Sequence, residues 1–294
     1  MTEAPQAPER VKDSSFAALS GRTGEIVGAQ IIHYVLTGST MDDASRLASE
    51  GAPEGLVVLA DSQAAGRGRH GRAWVSWPGE DLLLSVVFRP RPSYVHQPLM
   101  LAALAAADTA ENVTGVHPSI KWPNDVRIGG RKLCGVIAET RQGTLLSGSV
   151  RPGEAAASPS DTLITVVGIG LNVNLDPPGA ISSGKHEATS MATSLRAIAG
   201  GSVSRLATFT LLLKHMDRLY ARLVRGDSLV PEWSSRLETI GSDVSVTVGS
   251  PLGPDRVVHG RAEGVDEFGR LLVRDSTGRL WPMSAGEVTL QSPL

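Results

Sequence analysis

Ten residues at positions 63–72, QAAGRGRHGR, combine glycines and basic side chains in a spacing suited to binding an anion. Glycine tolerates positive φ and lets backbone N–H groups approach a ligand closely, and successive N–H groups form a concave nest for anions. Guanidinium groups add permanently charged forks that match carboxylate or phosphate oxygens. The segment, called the Arg-Gly loop below, predicts a mobile cationic loop that closes over an anionic small molecule.

Two other interpretations of the Arg-Gly loop remain open, a solvated basic loop and a segment that touches RNA. Its neighbours favour a binding site, because VVLADSQ (57–63) and LLLSVVF (82–88) each predict a buried strand, and binding loops are commonly held by rigid scaffolds. An RNA binder would interleave aromatic with basic residues. Trp74 and Trp77 are near, but aromatic residues make up only 4% of the chain.

Length, net charge, cysteine content and the lengths of apolar runs limit which classes of protein the chain can belong to. A length of 294 residues predicts about two domains, and a formal net charge of -2 disfavours bulk attraction to nucleic acid. The single cysteine, Cys134, excludes an intrachain disulfide and fits a reducing cytosol. The sequence contains neither an apolar run of membrane-spanning length nor a signal-peptide core. We therefore expect a cytoplasmic protein with no DNA partner and no membrane partner.

Residues 1–30 predict a loosely ordered amino-terminal arm. Prolines and glycines interrupt this segment, and Phe16, Leu19, Ile26 and Val27 support one short helix at most. A winged-helix DNA-binding module needs about three helices of average length. The segment is too short and too interrupted for such a module.

The next segment predicts a strand followed by a helix. IIHYVL (31–36) is a strand candidate, and Ser39 or Thr40 is a candidate N-cap. Asp42 and Asp43 then lie in the first turn, where carboxylates suit the helix dipole. Hydroxyl groups at such a junction can instead face a ligand, so two roles compete for Ser39 and Thr40.

After a buried helix at 98–113, residues 119–139 predict a strand, a turn at Asn124–Asp125 and a hairpin turned by Gly129–Gly130. Alternation along KLCGVIAE puts Lys132, Cys134, Val136 and Ala138 on one face. A lysine on an otherwise apolar face needs an anionic partner. Alternatively, Lys132 lies at the exposed end of the strand with its ammonium group in water.

The remaining chain predicts a loop, a strand, helices and a second domain. Residues 141–161 predict a disordered loop, and residues 162–175 predict a buried strand that closes on Asn172 and Asn174. Residues 204–226 predict a long amphipathic helix. From residue 241, short alternating segments between glycines predict a small β-barrel of the SH3-like type.

Several motifs in this order and spacing resemble biotin protein ligases. These are GRGRHGR, KWPNDV, GRKLCGVIAE, VGIGLNVN and EATSMATSL. The resemblance covers about residues 31–294 and implies an α+β fold related to class II synthetases. The implied fold has a catalytic domain at 31–240, formed by a mixed β-sheet with packed helices, and an SH3-like barrel at 241–294. Lipoate and octanoate ligases share this fold and are the alternative.

The resemblance implies a reaction in two steps with ATP, biotin and Mg²⁺. Biotin is first activated to biotinyl-5′-AMP, and a lysine on the biotin carboxyl carrier domain of an acyl-CoA carboxylase then takes the biotinyl group. Cationic groups would stabilise the charge that develops between the two anions. A closed loop would protect the hydrolysable adenylate from water.

Site residues follow from the same resemblance. Those implied to contact biotin are Ser39, Thr40, Met41, Gln63, Arg67, Gly68, Arg69 and Lys132. Those implied to contact the nucleotide are Arg69, Arg72, Trp74, Lys132 and Asn172. Those implied to act in the chemistry are Arg67, Arg69, Lys121, Asp125 and Lys132. No protein ligand is assigned to a metal ion.

The sequence departs from the family pattern at three places. Met41 stands where many members carry asparagine, so we expect only a backbone contact there. The loop at 143–160 is longer than typical and has no assigned role. The DNA-binding module of repressor-type members is not evident, so we expect no operator binding, with a biotin-responsive repressor as the alternative.

Overall fold

The computed structural model of the protein describes residues 9–10, 15–21, 23–143, 163–175, 192–248, 256–284 and 286–290. Eight strands form the larger sheet, namely β1 (Glu9–Arg10), β2 (Ile31–Thr37), β3 (Val57–Gln63), β4 (Leu82–Phe88), β5 (Ser119–Lys121), β6 (Asp125–Ile128), β7 (Arg131–Gln142) and β8 (Leu163–Leu171). Their order is β1-β2-β3-β4-β8-β7-β6-β5. β2 and β3 pair in parallel, and the other neighbours are antiparallel. The mixed sheet confirms the predicted α+β class.

Helices cover both faces of this sheet. They are α1 (Thr40–Ser49), α2 (Gln97–Thr114), α3 (Leu195–Ala199), α4 (Arg205–Arg225) and α5 (Val230–Ser235). Helix α1 packs on one face, where Met41 and Ala44 join the apolar cluster of Val58 and Val166. Helices α2 and α4 pack on the other face. Strand β4 is buried throughout because it lies between these two helical layers.

The carboxyl-terminal part of the chain forms a second, antiparallel sheet. Its strands are β9 (Asp243–Val248), β10 (Arg256–Val265), β11 (Leu271–Arg274), β12 (Leu280–Met283) and β13 (Glu287–Leu290). Their order is β12-β11-β10-β9-β13. In the described part of the chain, β12 and β13 do not pair, so the sheet is open where the sequence predicts a closed barrel. The indole Nε1 of Trp122 donates a hydrogen bond to Gly269 O at 3.0 Å and joins the two sheets.

The described part of the amino-terminal arm is packed, which corrects the prediction of a loosely ordered segment. Phe16 and Val27 are buried in the main apolar cluster, and the Phe16 ring makes an edge contact with Phe209. The Asp217 carboxylate on α4 accepts hydrogen bonds from the backbone of Glu25, Ile26 and Val27. The short predicted helix is a single 3₁₀ turn, Ala17–Leu19.

Two further boundaries differ from the sequence prediction. Arg141 and Gln142, placed in a disordered loop, are the end of β7, and the strand expected at 162–175 ends at Leu171. Residues 144–162 and 176–191, which include most of that loop and part of EATSMATSL, lie outside the described residues. No helix in the described part of the chain combines the length and apolar composition needed to cross a membrane.

Candidate active site

A cavity of about 600 Å³ opens between the Arg-Gly loop, the start of α1 and strands β7 and β8. Every residue predicted to form the site lines this cavity. They are Ser39, Thr40, Met41, Gln63, Arg67, Gly68, Arg69, Arg72, Trp74, Lys121, Asp125, Lys132 and Asn172. The fold therefore gathers at one place the residues that the motifs predict, although they are far apart in the chain.

Three glycines on β7 and β8 form the floor of the cavity. A Cβ added at Gly170 would lie 2.4 Å from the Trp74 ring, and one at Gly135 would lie 2.7 Å from the same ring. At Gly168 it would lie 2.8 Å from the Met41 sulfur. Only glycine permits these approaches. Met41 is buried and is among the residues that line the cavity, and the backbone contact expected there stays a prediction.

The Arg-Gly loop folds back on itself as a small hairpin. Gly68 N donates to Arg72 O at 2.7 Å, and Trp74 N donates to Gly66 O at 2.9 Å. Within the loop, Gly71 is the glycine with a positive φ, at +71°. At Gly66, a Cβ would lie 3.0 Å from Trp74 O. Close packing, rather than the expected positive φ, therefore explains the glycine at position 66.

Arg69 is the anchored arginine of the loop. Its guanidinium donates to Asn124 Oδ1 at 3.1 Å and to Gly286 O, next to the second sheet, at 3.1 Å. Burial lowers the pKa of Arg69, although the nearby Asp125 and Glu287 carboxylates oppose that shift. The group remains a cation at neutral pH because arginine is effectively always protonated in proteins. Arg69 thus presents a partly desolvated, fixed positive charge to the cavity.

Arg67 and Arg72 are more exposed and pair with carboxylates. Arg67 lies 2.6 Å from Asp42 Oδ1 and 3.4 Å from Glu139 Oε1. Arg72 pairs with Glu287, and that hydrogen bond raises the pKa of Arg72. Ion pairs at such exposed positions contribute little to stability. These two guanidinium groups are therefore free to exchange a carboxylate partner for a ligand anion at small energetic cost.

Lys132 and Asp125 form the charged pair at the end of the floor. Lys132 Nζ lies 2.7 Å from Asp125 Oδ1, with side-chain exposures of 36% and 28%. The ammonium group also lies 5.3 Å from the centre of the Trp74 ring, a cation–π distance. Lys132 therefore has the anionic partner that the sequence predicts. The alternative, an ammonium group that extends into water without a partner, is wrong.

A β-bulge places Lys132 on the cavity face and corrects the predicted alternation. Val126 pairs with Cys134, but the next residue, Arg127, pairs with Lys132, so β7 contains one extra residue, Leu133. Such an insertion shifts the residues on one side of it to the opposite face of the strand. Lys132 consequently faces the cavity with Gly135, whereas Cys134 is buried in the core.

Uncharged polar groups line the part of the cavity formed by the start of α1 and the end of β3, called the polar end below. Ser39 occupies the N-cap position of α1, but its side chain makes no capping hydrogen bond. Gln63 Oε1 instead accepts from Thr40 N at 2.8 Å and from Thr40 Oγ1 at 3.1 Å. Thr40 Oγ1 also lies 2.8 Å from Ser85 Oγ. Sequence reasoning missed Ser85, which lies within an apolar strand.

Lys121 and Asn172 complete the site. Lys121 is half-buried, and burial lowers the pKa of its ammonium group against the opposing effect of Asp125. Asn172 Nδ2 donates to Thr193 O at 2.9 Å, so its amide ties the end of β8 to the chain before α3. The indole Nε1 of Trp74 is buried and has no hydrogen-bond partner among the described residues.

Sequence reasoning missed the residues that hold the loop in place. Asn124 was assigned only to a turn, and Gly286 and Glu287 were assigned only to the second domain. The signal for Asn124 was its place between Lys121 and Asp125, two residues already singled out. No local pattern indicates that Gly286 and Glu287 reach a loop more than 200 positions earlier in the chain.

Two family models match the chain. The biotin/lipoate A/B protein ligase family matches residues 34–150, and the biotin protein ligase C terminal domain matches residues 239–290. The first match contains the Arg-Gly loop, and the second contains all five strands of the second sheet.

Curated relatives align over most of the chain. The biotin--[acetyl-CoA-carboxylase] ligase of Mycobacterium tuberculosis is 34% identical over 263 residues, which are 86% of this chain and 85% of the relative. The bifunctional ligase/repressor BirA of Bacillus subtilis is 30% identical over 262 residues, which are 88% of this chain and 73% of the relative.

Among solved structures, the biotin protein ligase from Aquifex aeolicus in complex with biotin and ATP is similar. Its TM-score is 0.67 at 25% identity, and the superposition covers 90% of this chain and 99% of that one.

Proposed function

The chain belongs to the biotin protein ligase family, and on this premise we propose that the cavity is where it activates biotin with ATP. The enzyme is a biotin–[acetyl-CoA-carboxylase] ligase: it forms biotinyl-5′-AMP and transfers the biotinyl group to a carboxylase lysine. The convergence of Lys121, Lys132 and Arg69 on one glycine-floored cavity carries the assignment of the site. Two anions, a carboxylate and a triphosphate, must meet there.

In the first step, a carboxylate oxygen of biotin attacks the α-phosphorus of ATP, and the bond to pyrophosphate breaks. Negative charge accumulates on the oxygens around that phosphorus, where preorganised cations lower the barrier. Lys132 is held by Asp125 at 2.7 Å and would neutralise the carboxylate–phosphate junction. Arg69 is fixed by Asn124 and would cover the phosphates as part of the Arg-Gly loop.

In the second step, the amine of the carrier lysine attacks the acyl carbon of the adenylate, and AMP leaves with the electron pair of the broken bond. The attacking amine must be uncharged, so its ammonium form has to lose a proton. Asp125 is a carboxylate at the cavity wall and would orient that ammonium group or take up the proton. The carrier domain is thus the proposed protein partner.

The polar end of the cavity suits the neutral ring of biotin. Buried ureido N–H and C=O groups need hydrogen-bond partners, and Ser39, Thr40 and Gln63 supply hydroxyl and amide groups there. The Met41 thioether and the glycine floor suit the apolar part of biotin. Trp74 offers an aromatic face for adenine, and Asn172 and Arg72 would flank the nucleotide.

Mg²⁺ would enter with ATP and neutralise charge on its phosphate oxygens. The described residues contain no group of three carboxylate, histidine or cysteine side chains arranged to hold a metal ion. Among the described residues, Asp125 and Glu287 are the carboxylates that line the cavity, and Asp125 is paired with Lys132. This donor set fits a magnesium ion carried mainly by the phosphates rather than a dedicated metal site.

The finer predictions about this ligase are parts of the same proposal. They are the SH3-like form of the second sheet, the division of the chain near residue 240, the cytoplasmic location and the lack of operator binding. The division near residue 240 is supported by the family model of a separate carboxyl-terminal domain, which matches residues 239–290.

Pyrophosphate release with ATP and Mg²⁺ tests the proposed function. Biotin, lipoate and octanoate are supplied in parallel, without an acceptor protein, and we expect release with biotin alone. Lys132→Ala should slow that release about 100- to 1,000-fold, as loss of a preorganised charge does. Lys214→Ala, on an exposed position of α4, is the matched control and should have no effect. Release with lipoate or octanoate rather than biotin would assign the cavity to a different acid.

A further inference from the structure

Asp81, at the turn before β4, is a buried carboxylate that the motifs do not include. The residue is only 1% exposed. Oδ1 accepts hydrogen bonds from Val173 N at 2.9 Å and from Leu175 N at 3.3 Å. Oδ2 is buried and has no hydrogen-bond partner among the described residues. Burying a carboxylate in this way costs free energy. The segment whose N–H groups it binds is therefore the reason for its position.

The segment that Asp81 holds, residues 172–175, directly follows β8. Asn174 N donates to the backbone carbonyl of Glu80 at 3.1 Å, so two consecutive residues of the turn bind the segment. At either end of the segment, Asn172 and Leu175 line the cavity. Asp81 itself does not line it. The carboxylate is therefore one layer behind the wall of the site.

We propose that Asp81 is a positioning residue that fixes the 172–175 segment so that Asn172 and Leu175 form the nucleotide side of the cavity. This inference rests on the proposed function, because it assigns that side of the cavity to ATP. Removing the acceptor at position 81 releases two backbone N–H groups at once. The wall from Val173 to Leu175 then loses two of the hydrogen bonds that hold it, while Asn172 keeps its own bonds to Leu133 and Thr193 and the polar end at Gln63 is untouched.

The charges that face Asp81 come from its own turn and from α4. Glu80 raises its pKa and Arg205 lowers it, while the 172–175 segment contributes backbone N–H groups only. Arg205 also donates to the backbone carbonyl of Asp81 at 3.0 Å and to Asp61 Oδ1 at 2.7 Å. Asp61 in turn lies 3.1 Å from His33 Nε2. Burial dominates this balance and raises the pKa of Asp81 from 3.8 to about 6.

The direction of this shift sets a pH dependence. Because the folded pKa lies above the unfolded one, the contribution of Asp81 to stability is fully present below about pH 4 and is lost as pH rises through about 6. The melting temperature of the wild type should therefore fall between about pH 4 and about pH 6. Asp81→Asn keeps one acceptor oxygen but cannot ionise, so that part of the fall should disappear.

Amide hydrogen exchange and ATP kinetics test the positioning role. Asp81→Ala should speed exchange at the Val173 and Leu175 amides about tenfold, the loss expected for hydrogen bonds to a charged acceptor. Exchange at Ile169, within β8, is the internal control and should stay the same. The KM for ATP should rise about tenfold with that loss, while the KM for biotin stays constant. Asp81→Asn should restore most of both effects.

Unchanged exchange at Val173 and Leu175 in Asp81→Ala, or an unchanged KM for ATP, would overturn the proposal. If Asp81→Ala does not fold, the pH comparison decides: equal falls in melting temperature for the wild type and Asp81→Asn would count against it. The proposed function fails separately. A wild type that releases no pyrophosphate with biotin and ATP removes the ligase activity, whereas the exchange data still report whether Asp81 holds the segment.

Discussion

The floor and the loop of the cavity consist of different chemical groups, backbone in the floor and charged side chains in the loop. The floor consists of backbone, with Gly135, Gly168 and Gly170 in paired strands and no side chain of their own. The loop consists of guanidinium groups, and carboxylates or carbonyl oxygens on other elements hold them. Backbone in a sheet is fixed by hydrogen bonds on both sides, whereas exposed ion pairs exchange partners easily.

This difference assigns separate tasks to the two regions. The floor determines shape, because any added atom collides with Trp74 or Met41. The loop determines charge and access, because its arginines can leave their protein partners for a ligand. Substitutions in the floor should therefore abolish binding, and substitutions in the loop should change how long the adenylate is retained.

Between the floor and the loop, the larger effect is expected in the floor, for Gly170→Val. The new side chain would occupy the space of the Trp74 ring, whose nearest atom would lie 2.4 Å from the added Cβ. We expect biotin-dependent pyrophosphate release to fall about 100-fold, since small displacements of a site cost that much. Gly264→Val is the matched control, because Gly264 also lies in a strand but has open space around it. Equal losses in both variants would mean that the effect is on folding alone.

A smaller and different effect is expected for Arg69→Gly in the loop. The variant removes the hydrogen bonds to Asn124 and Gly286 and leaves the floor intact. Adenylate formation should continue, but the adenylate should escape about tenfold faster, as expected for lost hydrogen bonds to a charged group. Labelling of a bystander protein measures the escape. Labelling confined to the carrier lysine, as in the wild type, would contradict a closing role for the loop.

The smallest effect is expected for Arg72→Ala, because its pair with Glu287 is exposed. Exposed ion pairs contribute about 0.2–1 kcal/mol, so we expect the KM for ATP to rise no more than about fivefold. Comparison of Arg72→Ala, Glu287→Gln and the double variant at 50 mM and 500 mM salt would measure the coupling. A loss as large as that of Gly170→Val would show that the loop also determines shape.

Regular elements and motif residues were predictable from the sequence because their signals are local. Continuous apolar runs predicted β3 and β4 closely. The helix predicted at 204–226 is α4, and in the structure Ser204 and Gly226 are its N-cap and C-cap. The face occupied by Lys132 was not predictable. Its orientation depends on one bulged residue, Leu133, and a bulge changes the pairing without changing the composition of the strand.

Contacts between distant segments were the second kind of information absent from the sequence. The partners of Arg67, Asp42 and Glu139, are ordinary exposed carboxylates, and nothing around them indicates that an arginine will lie between them. The packing of Val27 under α4 was missed because it depends on Asp217, about 190 positions later. Such contacts follow from the complete fold, so residue patterns within a short window cannot reveal them.

The hydrogen bonds between the two sheets affect the cooperativity of unfolding. Trp122, almost completely buried, reaches Gly269, and Arg69 reaches Gly286. Both links therefore start at residues that line the cavity and end beyond residue 240. Structures linked in this way tend to open together rather than in parts. A fragment cut at residue 240 would therefore lack two partners of its own Arg-Gly loop, Gly286 and Glu287. The intact chain should melt in a single transition that ligands of the cavity shift upward as a whole.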